Sequence, residues 1–390
     1  MAAFALGKSS RISPVRYDRY LLLAAATILF MGIVMVASTS INLSNHIYHT
    51  PFHFLIRQMI YLAAGIGIAI FVVNIPIKTW QRHSASLLIL GFLLLIIVLI
   101  PGIGKQVNGS MRWLSIGPIS IQVSEIMKLA MITYLASYLV RHNDEVRTRI
   151  LGFIKPLAIL TLICGLLLKE PDFGAATVIF ATSLGMMFLA GTRLGPFLGL
   201  FSLSIGSFAL LAFSSPYRVQ RLTSFLNPWA NQFDSGYQLT QALIAFGRGG
   251  WFGMGLGNSI QKLFYLPEAH TDFLFAILTE ELGLVGAFFI IAAYILLISR
   301  SFIIARQAQR QQQHYAAYVA YGIGLWIGLQ VLINMGVNTG VLPTKGLTLP
   351  LMSYGGSSIV INCVALAILF RIDYETRSHR IGTTPCLKKY

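Results

Sequence analysis

Residues 266–299 read LPEAHTDFLFAILTEELGLVGAFFIIAAYILLIS, a short polar entry followed by an apolar run long enough to cross a lipid bilayer as a helix. Similar runs recur from one end of the chain to the other. Hydrophobic residues make up 56% of the 390 residues, and the mean hydropathy is +0.71. The sequence therefore predicts an all-α integral membrane protein, built as a polytopic helical bundle.

Ten membrane-spanning helices are predicted from these runs. They cover residues 20–41, 55–74, 85–103, 122–140, 152–168, 174–190, 195–214, 272–299, 315–336 and 353–370. This division leaves an N-terminal tail of residues 1–19, a ten-span membrane domain of residues 20–370 and a C-terminal tail of residues 371–390. One outer connection, residues 215–271, is long, and its aromatic residues at helix-like intervals favour helices that lie in the membrane interface.

The distribution of charge sets the orientation. Most of the 29 lysine and arginine residues fall on the side that holds both termini, so the positive-inside rule places both tails in the cytoplasm. Acidic residues show the opposite bias, which indicates an activity at the outer face. The net charge of +16 is explained by membrane anchoring and requires no nucleic-acid partner. Cysteine occurs only at Cys164, Cys363 and Cys386, none in an outer connection, so neither a disulfide framework nor a cysteine-based metal site is expected.

Ionisable residues cluster around the span that follows the long connection. Glu268, His270 and Asp272 stand at its entrance, and Glu280 and Glu281 lie inside it. Charges at or inside a bilayer are costly, so they mark either a functional path or a paired structural site. Adjacent helical residues point about 100° apart, so at most one of the two inner glutamates can face a given cavity. Helix packing is therefore the preferred interpretation for both.

A second pair of charges, Glu125 and Lys128, has the spacing i, i+3 at the outer start of the fourth span, which puts both side chains on one helix face. The simplest interpretation is a structural ion pair. The alternative is a face that borders a functional cavity.

Three outer connections supply further candidate residues. The first is residues 104–121; the second is the glycine-rich part of the long connection, whose spacing does not match a dinucleotide-binding loop. The third, residues 337–357, contains two prolines and is predicted to be a re-entrant turn that packs against protein and lines a substrate groove. The candidates are Arg112 and Trp113 in the first, Arg248 and Lys262 in the second, and Lys345 and Ser353 in the third.

Five longer strings resemble a known family. They are RWLSIGPISIQVSEIMKL (112–129), KEPDFG (169–174), LPEAHTDF (266–273), LPTKGLTLPLMSYGGSS (342–358) and RIDYETR (371–377). Together they resemble the SEDS family (shape, elongation, division and sporulation), which are integral-membrane peptidoglycan glycosyltransferases. TKGLTLP and Ala269 are more similar to the cell-division members than to the elongation members. Glu170 departs from the family pattern, since many relatives carry glutamine at this position.

The resemblance implies an enzyme that polymerises lipid II, a disaccharide-pentapeptide carried on undecaprenyl pyrophosphate, into glycan strands. The reaction is expected at the outer face of the bacterial inner membrane, at the division septum. The implied partners are a class B penicillin-binding transpeptidase, since this chain has no crosslinking domain, and other divisome membrane proteins.

Asp272 matches the family's essential aspartate and is predicted to be the general base that takes the proton from the acceptor sugar hydroxyl. Direct attack by that hydroxyl would invert the anomeric centre. The pyrophosphate leaving group requires cations or a divalent metal such as Mg²⁺ or Mn²⁺, although no cofactor-binding motif is recognisable. The residues predicted to bind or support the substrate are Arg112, Trp113, Glu125, Lys128, Arg248, Lys262, Glu268, His270, Lys345 and Ser353.

Two of these roles are open to a second interpretation. His270 is a candidate metal ligand or second base. One histidine with one aspartate supplies too few ligands for a typical metal site, so a role in orienting the loop is preferred. For Glu125 and Lys128, the resemblance favours a face next to Asp272, so a variant that neutralises both is expected to fold and remain inactive.

Two other functions fit parts of the sequence. A lipid II flippase or transporter would also combine many spans with intramembrane charges and broken segments. A noncatalytic divisome scaffold would need the outer carboxylates only for its structure. Transport predicts charges near the membrane midplane and an internal repeat, whereas the acids here are densest at the outer surface and no repeat is found. Polymerisation is therefore the favoured function.

Overall fold

The computed structural model describes residues 17–107, 110–117, 119–192, 224–343 and 346–382, together with isolated positions between 195 and 206. Within these residues, eight helices are long and apolar enough to cross a membrane, and one further apolar helix is shorter. The predicted fold class is confirmed. Nine of the predicted spans coincide with these helices, and the predicted span over 195–214 lies outside the described residues.

The elements follow one another along the chain as α1 (Arg19–Tyr48), α2 (His53–Val72), α3 (Ile77–Val98), β1 (Gly104–Val107), β2 (Ser110–Ile116), β3 (Ile119–Gln122), α4 (Val123–Arg141), α5 (Asn143–Thr148), α6 (Ile150–Lys169), α7 (Phe173–Leu189), a 3₁₀ turn (Pro228–Asn231), α8 (Tyr237–Gly249), α9 (Leu274–Arg310), α10 (His314–Asn338) and α11 (Gly356–Gly382). The last helix continues well beyond residue 371, where the C-terminal tail was predicted to begin.

The bundle has a buried centre and an apolar exterior. Helices α4, α10 and α11 are buried over most of their length, whereas α2 and α3 are mostly exposed and present large apolar side chains outward. This pattern is that of a membrane protein, because lipid is as apolar as the core and does not drive outward-facing leucine or isoleucine inside. The largest fully buried side chains include Trp326, Tyr294 and Lys128, one from each of α10, α9 and α4.

A small antiparallel sheet occupies the connection between α3 and α4, where the sequence predicts an outer connection without strands. Strand β2 lies between β1 and β3, and Trp113 pairs with Lys105 on one side and Gln122 on the other. Strands this short give little periodic signal. Strand β3 runs directly into α4, and β2 carries Arg112. The sheet therefore fixes the position of Arg112 relative to the start of α4.

Helix α9 is broken, although the sequence predicted one uninterrupted span over 272–299. The break lies at Gly283, where the backbone adopts φ 69° and ψ −171°. The chain that follows α8 fills it. The N–H groups of Met254 and Gly255 donate to the carbonyls of Glu280 and Glu281 at 2.9 and 3.0 Å, and those of Leu284 and Val285 donate to Gly250 and Trp251 at 3.0 and 3.1 Å. The polar groups freed by the break are therefore bonded within the protein, as a bilayer requires.

A network of ion pairs stabilises the end of the bundle where α1 begins and α9 and α11 end. Asp18 accepts a hydrogen bond from the N–H of Leu21 at 2.8 Å, and its carboxylate also pairs with Arg300 of α9 and Arg377 of α11. Arg377 in turn pairs with Asp373 at 2.7 Å. This network joins the start of α1 to two other helices.

The packing at the break predicts how alanine is tolerated there. A Cβ at Gly283 would lie 2.4 Å from the backbone nitrogen of Gly253, whereas a Cβ at Gly257, which also has positive φ, meets no atom within 4 Å. Both substitutions cost on the order of 1–3 kcal/mol in backbone strain, and only Gly283→Ala adds a clash with backbone. We expect Gly283→Ala to lower the thermal melting temperature in detergent clearly more than Gly257→Ala. Equal losses would show that the backbone contact is not tight.

Candidate functional site

Asp272 lies in the turn-rich segment immediately before α9, and its carboxylate faces the loop that precedes α11. A Cβ on Gly346 would lie 2.7 Å from Asp272 Oδ2, so the loop backbone passes directly in front of the carboxylate. Leu347, Leu349 and Met352 of that loop are buried. The loop packs against protein, as predicted for residues 337–357, although residues 337–338 and 356–357 belong to the flanking helices. A residue with a side chain at 346 would displace the carboxylate.

The surroundings of Asp272 favour its neutral form more than water would. Burial raises the pKa of this carboxyl to about 7; the negative charge of Glu268 also raises it, the positive charge of Arg112 lowers it, and the charge of Asp172 raises it. Desolvation is the largest cause, because a low-dielectric setting penalises the ionised carboxylate. A carboxyl group with a pKa near 7 can both accept and release a proton at neutral pH.

Arg112 connects the sheet to the turn between α6 and α7. Its Nε donates to the carbonyl of Glu170 at 3.2 Å, and its Nη2 donates to the carbonyl of Pro171. Asp172 caps α7 by accepting from the N–H of Ala175 at 3.1 Å, and it also accepts from Ser124 at the start of α4. Hydrogen bonds thus join β2, the turn between α6 and α7, and the start of α4, and the charges of Arg112 and Asp172 in these segments act on Asp272.

Glu170 is a second unusual carboxyl group in this turn. It is fully buried, and within the described part of the chain neither carboxylate oxygen has a hydrogen-bond partner. Burial raises its pKa to about 8, with a further increase from Asp172 and an opposing effect of Arg112. The neutral acid therefore predominates at pH 7, which makes this side chain electrically similar to a glutamine.

His270 packs among aromatic rings. Its ring centroid lies 5.0 Å from that of Phe54 and 5.5 Å from that of Tyr354, and its carbonyl accepts from the N–H of Tyr354 at 3.0 Å. Burial lowers the pKa of His270. These contacts favour the interpretation that His270 orients the loop. Ser353 stabilises the same loop, since its hydroxyl accepts a hydrogen bond from the N–H of Leu349 at 2.9 Å.

Arg248 and Lys262, predicted as substrate cations, pair instead with the two glutamates of α9. Arg248 Nε lies 3.4 Å from Glu280, and Lys262 Nζ lies 2.7 Å from Glu281. Both glutamates are completely buried, and Ser38 of α1 donates to Glu281 at 2.7 Å. This geometry agrees with the structural interpretation of the glutamates. Lys262 is buried and already neutralises Glu281, so moving it to a substrate would leave that glutamate without its cation, and its role as a substrate cation stays a prediction.

The remaining predicted residues fall in three places. Trp113 is partly exposed in the sheet, and Glu268 accepts from the Thr271 hydroxyl at 2.6 Å. Lys345 lies outside the described residues. In the part of the chain that the structure describes, no three His, Cys, Asp or Glu side chains form a group with the arrangement of a metal site.

Glu125 and Lys128 form an ion pair of 2.9 Å, as their spacing predicted. Their side chains are 5% and 1% exposed. Lys128 also donates to Gln330 of α10 at 2.8 Å and lies 5.0 Å from the ring centroid of Trp326. Helix α10 covers the pair through Gln330 and Trp326, and a functional role for this face stays a prediction. Gln330 in turn donates to the carbonyl of Thr348 at 2.9 Å, so the pair reaches the re-entrant loop through one intermediate residue.

Sequence reasoning missed several residues of this site. Asp172 had a usable signal, since an aspartate before an apolar run is typical of a helix N-cap. Gln330, Asn334 and Asn338 stand four residues apart within an apolar span, and buried amides at one-turn spacing indicate a polar contact on that face. Gly346 gave no signal that distinguished it from other loop glycines.

Comparisons with known proteins agree with this architecture. A family model described as cell cycle protein, covering FtsW, RodA and SpoVE, matches residues 18–378. The chain is 57% identical to the probable peptidoglycan glycosyltransferase FtsW of Coxiella burnetii, over 93% of this chain and 97% of that protein. It is also 57% identical to the protein of the same name from Legionella pneumophila, over 95% and 94% of the two chains.

Two solved structures are similar to the whole fold. One is a chain of a peptidoglycan synthase complex that coordinates polymerization and crosslinking, with a TM-score of 0.76 and 27% identity over 93% of this chain and 99% of that chain. The other is the rod shape determining protein RodA of Thermus thermophilus, with a TM-score of 0.68 and 27% identity over 92% and 97%.

The buried pair on α4 predicts a double-variant effect. Removing one partner leaves a buried charge alone, which costs about 3–5 kcal/mol. We expect Glu125→Gln and Lys128→Met each to lower the melting temperature in detergent, and the double variant to recover most of the loss. Lys155→Met is the matched control, since its pair with Glu145 is exposed and contributes little. Additive losses in the double variant would contradict a simple ion pair.

Proposed function

Since the chain belongs to the FtsW, RodA and SpoVE family of cell cycle proteins, we propose that it polymerises lipid II into glycan strands with Asp272 as the general base. Its curated relatives are peptidoglycan glycosyltransferases by name, and the chain is an enzyme of this kind. The observation that carries the proposed role of Asp272 is its position: a partly buried carboxyl group with a pKa of about 7, held just before the start of α9 and against Gly346.

The chemistry requires one proton transfer and one displacement. The acceptor sugar hydroxyl attacks the anomeric carbon of the donor, its proton passes to the carboxylate of Asp272, and the bond from that carbon to the undecaprenyl pyrophosphate breaks. A base whose pKa lies near the working pH is efficient because it is available unprotonated and still has affinity for the proton. Attack by a bound hydroxyl inverts the anomeric centre and needs no covalent sugar intermediate.

Arg112 is the best-supported cation for the leaving pyrophosphate. It is the cation among the described residues whose charge acts on Asp272, and its side chain is only partly buried. Arg248 and Lys262 already neutralise buried glutamates, so they are poorer choices. A preorganised positive charge stabilises a leaving group as its negative charge develops. A divalent cation that accompanies the pyrophosphate stays a prediction.

The broken α9 is the feature that most favours the transporter alternative, because discontinuous helices often form transport sites. In those sites the freed backbone groups face the cargo. Here they are bonded to residues 250–255, and the two glutamates beside the break are paired with Lys262 and Arg248. The break therefore holds the outer connection against α9, which supports an enzyme with a fixed site more than a moving gate.

The partner and location are proposed on coarser grounds. The similar chain in a peptidoglycan synthase complex supports association with a class B penicillin-binding transpeptidase. The apolar helices and family membership support the bacterial inner membrane. We place both termini in the cytoplasm on the distribution of basic residues, and we place the enzyme at the septum with other divisome proteins because its relatives are named FtsW.

Replacing the proposed base should abolish polymerisation. Asp272→Asn keeps the shape of the side chain but has no useful proton affinity, so we expect a loss of at least about a hundredfold in glycan polymer formed. The assay is purified protein incubated with lipid II, with and without the partner transpeptidase. Asp144→Asn, an exposed aspartate of α5, is the control for the same substitution and should retain full activity. Near-normal polymer from Asp272→Asn would remove this residue from the mechanism, and lipid II translocation without polymer would favour the flippase.

The charges around Asp272 should move the pH profile in opposite directions. Activity needs the ionised carboxylate, so it should fall as the pH drops through about 7. Glu268→Gln removes a charge that raises the pKa of Asp272, so the acid limb should move to lower pH. Arg112→Gln removes a charge that lowers this pKa, so the limb should move to higher pH, and Arg112→Lys should leave it nearly in place. A limb unmoved in all three variants would mean that another group controls it.

A further inference from the structure

Helix α10 carries a row of three amides in an otherwise apolar surface. Gln330, Asn334 and Asn338 stand four residues apart, so they lie one above another on the same face, and all three are buried. Burying an amide costs free energy unless its donors and acceptors are bonded. The contacts of this row therefore indicate its role, and each of the three amides bonds to Asp272 or to the loop in front of it.

Asn338 bonds both to Asp272 and to the start of α9. Its Nδ2 donates to the main-chain carbonyl of Asp272 at 2.9 Å. Its Oδ1 accepts from the N–H of Ala276 at 3.1 Å, an N–H in the first turn of α9 that is shared with the carbonyl of Phe273, also at 3.1 Å. One side chain thus fixes the carbonyl of Asp272 relative to the axis of α9.

Asn334 joins Asp272 to the opposing loop. Its Nδ2 donates to the carbonyl of Asp272 at 2.8 Å and to the carbonyl of Leu347 at 2.5 Å. Leu347 follows Gly346, whose Cα faces the carboxylate of Asp272. A single amide group therefore sets the separation between the segment that carries Asp272 and the loop in front of it.

Gln330 continues the row with a fixed orientation. Its Oε1 accepts from Lys128 at 2.8 Å and from the indole N–H of Trp326 at 2.8 Å. Because both groups are donors, the atom that they contact must be the amide oxygen. The amide nitrogen Nε2 therefore points towards the carbonyl of Thr348, 2.9 Å away. The Glu125–Lys128 pair is the far end of this row.

We propose that Asn334 and Asn338 are positioning residues for the reaction, which clamp the main chain of Asp272 and the loop at Leu347 so that the Asp272 carboxylate is aimed at the acceptor. The inference rests on the proposed role of Asp272. Both amides bond to its main-chain carbonyl rather than to its carboxylate, so they fix the backbone of Asp272 without occupying the group that would take the proton. Positioning at this accuracy matters, since a displacement of about 1 Å can lower a rate by about a hundredfold.

The test compares Asn334→Leu and Asn338→Leu with Asn362→Leu. Leucine has the same number of side-chain heavy atoms and the same branching as asparagine but makes no hydrogen bonds. Asn362 is an equally buried amide whose Nδ2, among the described residues, bonds to Ser358 of the same helix, α11. For each full-length variant, in complex with the transpeptidase and with lipid II as substrate, we would measure kcat, KM, the pH profile and the melting temperature.

We expect Asn334→Leu and Asn338→Leu to lower kcat at least about tenfold with KM within about threefold, while Asn362→Leu keeps its kcat at a comparable loss of melting temperature. The acid limb should also move to lower pH, because an unclamped Asp272 is more hydrated and its pKa returns towards the usual value. Equal losses of kcat in all three variants, or an unmoved acid limb, would overturn the proposal.

Two further variants keep the result interpretable. If leucine prevents folding, Asn334→Ser and Asn338→Ser shorten the side chain and break the reach to Asp272 while keeping a polar group, and they should show the same loss of kcat; normal kcat would overturn the clamp. Asp272→Asn is measured in parallel. If it is active, the proposed base is wrong, whereas an inactive Asp272→Asn with unaffected Asn334 and Asn338 variants refutes the clamp alone.

Discussion

Inside a bilayer every backbone N–H and carbonyl must find its partner within the protein, and the placement of Asp272 depends on how this chain meets that requirement. A straight α9 would satisfy its own backbone and leave the long outer connection unattached. The break at Gly283 opens backbone groups on both sides, and residues 250–255 bond to them. The connection is thereby held along the same helix whose start carries Asp272, so the site is built on fixed elements although its residues lie in loops.

The buried charges divide into two kinds by the same physical rule. An ion away from water must either be paired or lose its charge. Glu280, Glu281 and Glu125 are paired with nearby cations inside the bundle. Asp272 and Glu170 have raised pKa values instead. Glu170 is fully enclosed, which suits a neutral group, whereas Asp272 is partly exposed and next to a loop, which suits a group that exchanges a proton with a substrate.

Local patterns predicted much of this molecule, and long-range partners account for the rest. The spans, the re-entrant loop and the i, i+3 pair of Glu125 with Lys128 could be predicted because each depends on residues close in sequence. The partners of Arg248 and Lys262 could not be, since a basic residue in an outer connection looks the same whether it meets a substrate or a buried glutamate. The break in α9 was missed for a related reason: Gly283 lies in an apolar run, and the groups that fill the gap come from the preceding connection.

The convergence of distant strings explains why the family resemblance is spread along the chain. Four of the five strings meet around Asp272: one supplies Arg112 and the start of α4, one supplies the turn with Asp172, one carries Asp272 itself, and one supplies the loop at Gly346. The fifth, RIDYETR, lies at the opposite end, where Asp373 and Arg377 join Asp18 and Arg300. Its contacts hold α1, α9 and α11 together. A tilt of α9 or α11 would move Asp272 against Gly346, so this remote network constrains the same separation that the amides of α10 set locally.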